Sequence, residues 1–336
     1  MKHLLSCILI LNLTVSYSQT DINPITYSKQ ELSFLLDSIG HIDSNRWTKK
    51  MSNLVDSTLN NQTKLHHTLN GLDFETLKTV VQNGSIEIAL AKQLFNATTF
   101  DSNTINNDRL PITYYSFDKN EKDYNEFAII IGDSLLWDTT VYFFKSNTII
   151  AKHRIFHRYG LEIKHFKSKY DNTIFYYTVN YLSGSGIWWN QFNFYSYNKD
   201  HIRPVLTEIN NSNLQAPWGS RSYKIEATIT NTNPLVFQFK YENQLTDTTN
   251  NTVAFNNDVT KVTYQYNTTD KKYVPNFTNT TLNRPKLLSY FITDNDLLFV
   301  NSNYQLFRKQ LNSKNKLKQD AALNFLNALK NRLNTH

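Results

Sequence analysis

The side chains best suited to recognising a ligand lie between Asn172 and Asn198. Two strand-like runs, Asn172 to Leu182 and Ile187 to Asn198, flank Ser183-Gly184-Ser185-Gly186, a loop length and composition suited to a hairpin. With Leu182 opposite Ile187, one face carries Phe175, Tyr177, Val179 and Tyr181 across from Phe194, Phe192, Asn190 and Trp188. That face is apolar enough for a core. The other carries Ile174, Tyr176, Thr178 and Asn180 across from Tyr195, Asn193, Gln191 and Trp189. Adjacent side chains on a strand point to opposite faces, so Trp188 and Trp189 cannot share a platform. Flat rings among amides match a neutral polar ligand such as a glycan, stacked on its apolar face and hydrogen-bonded at its hydroxyls. The ligand-binding candidates are therefore Trp189, Tyr195, Asn193, Gln191, Tyr176 and Asn180. The competing arrangement, commoner for aromatics on strands, has another layer covering this face or leaves its pairs solvated.

Other stretches carry weaker chemistry. Asp118 to Glu126 places oxygens at alternate positions ahead of an apolar run, as a calcium loop does. Lys122, however, stands where an oxygen is wanted and the sharp-turn glycine is missing, so a polar turn fits better. His153, His157 and His165 sit among Arg154, Arg158 and Lys164, which repel a cation, and His66-His67 lacks a supporting carboxylate. No metal site or cofactor is expected. The Gly184-Ser185-Gly186 spacing fits neither a nucleophile elbow nor a phosphate loop, and the chain has only 8 glycines. Glu162, Glu208, Glu226 and Glu242 are available for a glycosidase-type carboxylate pair, but nothing selects two of them, so no catalytic residue is assigned. Trp218-Gly219-Ser220-Arg221 joins an aromatic to a cation in a loop that either packs or closes over a ligand.

Three zones position these residues. Residues 19–100 favour helix. Ser28 can cap a helix carrying Leu32, Phe34, Leu35 and Ile39, with later turns at Trp47, Met51, Leu54 and Leu59, at Leu72 to Val81, and at Ile86 to Phe95. Asn83-Gly84 separates the last two, and Ala97 to Arg109 is a boundary. Residues 110–300 change to period two: Tyr223, Ile225, Ala227 and Ile229 alternate with Lys224, Glu226, Thr228 and Thr230, and Leu235, Phe237, Phe239 and Tyr241 with Val236, Gln238 and Lys240. Roughly ten strands are expected, mostly antiparallel because the connections are too short for crossovers. A sandwich, a meander and a barrel all fit. Residues 301–336 form a basic C-terminal helix with a stripe of Leu317, Ala321, Phe325, Leu329 and Leu333. It either packs on the sheet, lies on an anionic surface or binds a partner. The fold class is α+β.

The net charge of +7 belongs largely to that tail, which holds seven Lys or Arg against Asp320 alone. The body is balanced and shows no nucleic-acid signature. Lys2 and His3, the apolar run Leu4 to Val15 and the small residues around Tyr17 form an export signal, residues 1–18. The single cysteine, Cys7, leaves with it, so thiol chemistry and disulfides are excluded from the rest.

The signal ending Ser16-Tyr17-Ser18 before Gln19, the Asp118–Glu126 turn and the aromatic run around Ser183–Gly186 resemble secreted β-rich proteins of Bacteroidetes. Such relatives often keep a fuller Asp-x-Asn-x-Asp-Gly turn, from which Lys122 and Asp123 depart. The resemblance implies a periplasmic or secreted location and no activity, and it transfers no catalytic residue. The expected function is a non-enzymatic binding or cell-envelope interaction module. A secreted hydrolase acting on carbohydrate is the alternative. Mass spectrometry of exported protein should find Gln19 as the first residue; an intact Met1 in native material refutes the signal.

Overall fold

The computed structural model describes residues 25–45, 48–49, 62–97, 108–132, 138–157, 160–182, 188–198, 201–215, 220–291 and 296–334. The expected export signal, the helical turns expected at Trp47, Met51, Leu54 and Leu59, and residues 183–186 and 217–219 lie outside them. Among the described residues the protein is α+β, with two antiparallel sheets, seven helices and no closed barrel.

The first sheet has the order β1-β6-β5-β4-β3-β2. Its strands are β1 (Gln62–Thr68), β2 (Ser85–Glu87), β3 (Arg109–Ser116), β4 (Glu126–Ile131), β5 (Asp138–Lys145) and β6 (Thr148–Phe156). Every residue of β4 is buried, because both faces of this sheet are covered. Phe127, Ile129 and Ile131 pack beneath α2 (Gly71–Asn83) and α3 (Ile88–Phe95). Phe127 stacks on Phe144 at 4.6 Å, and Phe95 closes over Tyr142 at 4.8 Å. Asn70 caps α2, and Gly84 ends it at φ 69°, a left-handed conformation that glycine adopts without strain.

The second sheet is an eight-stranded meander from β7 to β14. Its strands are β7 (Lys164–Lys167), β8 (Thr173–Leu182), β9 (Trp188–Asn198), β10 (His201–Gln215), β11 (Arg221–Thr232), β12 (Leu235–Thr246), β13 (Thr252–Asn267) and β14 (Lys272–Asn276). On β8 and β9 one face packs against the first sheet: Phe175 stacks on Phe143 at 4.6 Å, and Tyr195 lies 4.8 Å from His153. Glu126 ties the two sheets at one end, accepting from Lys145 at 2.7 Å and also from Thr173, with Lys167 at 3.4 Å. Burial alone would raise the Glu126 carboxyl, but Lys145, Thr173 and Lys167 together hold it below the usual carboxylate range. The opposite face of the second sheet carries a continuous core: Phe194, Ile225, Phe237, Phe239 and Tyr264. It is capped by α4 (Arg284–Phe291) through Leu287 and Tyr290.

The remaining helices are α1 (Lys29–Gly40), α5 (Asp296–Ser302), α6 (Tyr304–Leu311) and α7 (Lys316–Asn334). Ser28 caps α1 in a reciprocal box with Glu31. Leu32, Leu36 and Ile39 join Phe299, Phe307, Phe325 and Leu329 over Leu245 and Phe255 of the second sheet. Gly40 permits this approach, since a Cβ there would lie 2.6 Å from the Tyr304 ring. The helical zones thus need correction in three places. Residues 62–68 and 85–87 are strands, because they extend the edges of the first sheet at β6 and β3. Strands end at Asn276 and helices begin at Arg284, so the β zone stops short of 300. The basic tail is two helices rather than one. Its α7 stripe packs on the sheet and on α1, burying Ala321, Phe325 and Leu329 and leaving Leu317 and Leu333 exposed.

Burial lowers the His153 imidazole to about 3, so it stays neutral in the fold, with Nδ1 3.0 Å from the Tyr177 hydroxyl. The unfolded chain takes up a proton near pH 6.5 that the folded chain refuses, so stability falls as pH drops from about 6.5 to about 3. Thermal melts of His153→Phe at pH 7, 5 and 4 should show its difference from wild type shifting in the variant's favour as pH falls. A pH-independent difference refutes the assignment.

Candidate functional site

The hairpin pairs one residue away from the expected register. Leu182 opposes Trp188, Tyr181 opposes Trp189, Val179 opposes Gln191 and Phe175 opposes Tyr195. Five residues separate the paired Leu182 and Trp188, where four were expected between the pairing residues. A one-residue slip exchanges the faces of one strand relative to the other, so the candidate platform divides. Trp189, Gln191, Asn193 and Tyr195 share a face with Tyr177 and Val179, which turns toward the first sheet. Gln191, Asn193 and Tyr195 are buried there: Gln191 Nε2 donates to Asn193 Oδ1 at 2.8 Å, and the Tyr177 hydroxyl donates to that of Tyr195 at 2.9 Å. Trp189 is half-buried. Tyr176 and Asn180 point to the opposite face. Tyr176 stacks on Phe194 at 4.6 Å, and Asn180 donates to Asn190, which donates to Asn211 at 2.6 Å. The amides satisfy one another within the layers, so this hairpin is not an open platform.

The other motifs also resolve into packing. Asp118 accepts the backbone N–H of Asn125 at 2.7 Å and of Glu126 at 3.1 Å, which makes the segment a carboxylate-stapled turn. His157 meets Thr139 at 2.7 Å, while His165 is exposed. Glu226 faces Lys240, and Glu242 faces Lys224, on the polar side of β11 and β12. Glu162 pairs with Lys164 at 3.1 Å. Arg221, from the tryptophan-bearing loop, is buried between Tyr223 and Phe299 and pairs with Asp296 at 3.4 Å.

A cleft of about 350 Å³ opens at the other end of the second sheet, where the β7–β8 and β11–β12 turns approach β13 and β14. This lies within the range of small-ligand sites, roughly 300–1,000 Å³. Strand alternation aims Tyr264 and Tyr266 inward from β13, and Tyr273 of β14 pairs directly with Tyr266. The Tyr266 and Tyr273 rings meet edge-on at 5.3 Å, and Tyr170 completes the row 6.0 Å from Tyr266. Asn233 and Ser168 add polar groups, and Lys169 adds a cation 4.9 Å from the Tyr170 ring centre. Burial pushes the Tyr273 hydroxyl up to about 12 and raises that of Tyr266, so both remain neutral O–H groups near neutral pH. Below them, Glu208 Oε2 accepts from the Tyr264 hydroxyl at 2.6 Å and from Arg284 at 3.0 Å, while Oε1 accepts the Ile209 N–H. These bonds pin Tyr264 from beneath.

Tyr264 and Tyr266 were readable as inward strand residues. Tyr170, Asn233 and Tyr273 carried no signal, since only the curvature of the sheet brings them together. No protein-family model, curated protein or solved structure matches the chain.

Glu208 is buried, and Arg284 is its only cationic partner among the described residues. Arg284→Leu should therefore cost about 3–5 kcal/mol in urea denaturation by leaving a buried charge unpaired. Adding Glu208→Gln should recover a large part of that loss. A single-variant loss below about 1 kcal/mol refutes this account of the cleft floor.

Proposed function

We propose that this protein is an exported, non-enzymatic binding module whose ligand is a glycan of the cell envelope, held in the Tyr170–Tyr266–Tyr273 cleft. The observation that carries the reading is the row of tyrosine rings beside the Asn233 amide and the Ser168 hydroxyl in a half-open cavity. Sugar recognition needs that pairing of ring faces with hydrogen-bonding edges. The site moves from the hairpin to the mouth of the curved sheet, while the ligand class is unchanged. Glu162, Glu208, Glu226 and Glu242 all lie outside the cleft lining, which favours binding over a carboxylate-pair hydrolase. Periplasmic or secreted location rests on residues 1–18 and on the resemblance to secreted β-rich proteins. Among the described residues no helix is long and apolar enough to cross a membrane.

Immobilised envelope glycans should retain the full chain. Tyr170→Ala and Tyr266→Ala should each weaken retention roughly tenfold, the equivalent of about 1.4 kcal/mol and within the range of lost ring stacking. Trp189→Ala should bind as wild type. Equal retention of the tyrosine variants rejects the cleft, and hydrolysis of the retained glycan rejects the non-enzymatic reading.

A further inference from the structure

We infer that the cleft selects an acidic saccharide, one carrying a carboxylate or sulfate, over its neutral counterpart. This deepens the binding reading and rests on it. The inference comes from Lys169 in the cleft lining and from Arg203 on the strand β10 that approaches β14.

Lys169 is exposed over the Tyr170 ring. Arg203 is half-buried on β10, a strand that the curved sheet brings against β14, where Tyr273 pairs with Tyr266; its charge counters part of the rise in the Tyr266 hydroxyl pKa. Neither forms an ion pair with an acid among the described residues. Cations at other junctions of the fold do: Lys145 and Lys167 share Glu126, Arg284 meets Glu208, and Arg221 and Arg332 share Asp296. A half-buried guanidinium offers five donors in a planar fork matched to a carboxylate or sulfate. Among the described residues no carboxylate belongs to the cleft lining. The nearest acid on the β13–β14 turn, Asp270, accepts from Asn267 at 2.8 Å. The region therefore pairs ring faces for a pyranose with cations that, among the described residues, form no ion pair and so remain available to a substituent on it. A neutral sugar would use the rings and leave both cations idle.

The test is retention of the full chain on an array of uronate-, sialate- and sulfate-bearing glycans, each beside its carboxyl-reduced or desulfated counterpart. At least one acidic glycan should be retained tenfold or more above its neutral form, and that excess should shrink as salt is raised. Lys169→Gln with Arg203→Gln should abolish the preference while the double variant still melts cooperatively and keeps its retention of the neutral counterpart. Conservative Lys169→Arg should keep it. Equal retention of acidic and neutral partners, or a preference that survives the double variant, overturns the inference and leaves the binding reading standing. Retention of no glycan at all overturns both.

Discussion

Strands β8 and β9 are apolar on both faces, and this constraint shapes everything around them. Phe175, Tyr177, Tyr195 and Tyr197 need cover on one side, while Ile174, Phe192 and Phe194 need it on the other. No single additional layer can satisfy both. The six-stranded sheet supplies the first cover, and its own far face must then be sealed by α2 and α3. The second face is covered by the sheet curving upon itself, with α4 laid into the hollow. At β11 to β13 the first cover runs out, and there the outer face turns polar, with Lys224, Glu226 and Lys240 in solvent. The change from continuous apolar runs to strict alternation marks where the two sheets stop overlapping.

The hollow is closed by different means along its length. Helices α1, α5, α6 and α7 seal one end through Leu245 and Phe255, and α4 fills the middle through Leu287 and Tyr290. At the other end the core grades into the cleft through Leu235, Tyr264, Tyr266 and Tyr273. The buried Glu208–Arg284–Tyr264 group stands at that transition. It links β10, β13 and α4, so the helix that plugs the hollow also fixes a residue of the cleft lining.

Much of this was legible locally and little of it over distance. Ser28 capped its helix because the capping box is written within four residues. The β11–β12 hairpin kept its alternation because one face is wet and the other dry. Two short strands, β1 and β2, were read as helix or left unassigned because their partners lie at sheet edges remote in sequence. The β8–β9 register slipped because both faces are apolar there, which removes the contrast that normally fixes it. The cleft had no local trace, since Tyr170, Asn233, Tyr266 and Tyr273 meet only through the curvature of eight strands.

The helical end of the molecule joins the earliest described residues to the latest. Tyr304 reaches Asp37, and Asn301 donates to the carbonyls of Ile39 and Ile42. Asn327 and Asn331 bond the backbone at Ile25 and Tyr27. A ribosome delivers α1 first and α7 last, so the first helix must wait unpartnered while nearly the whole polypeptide is made. That delay postpones locking of the helical end until α7 has been made, so the order of synthesis and the order of assembly differ.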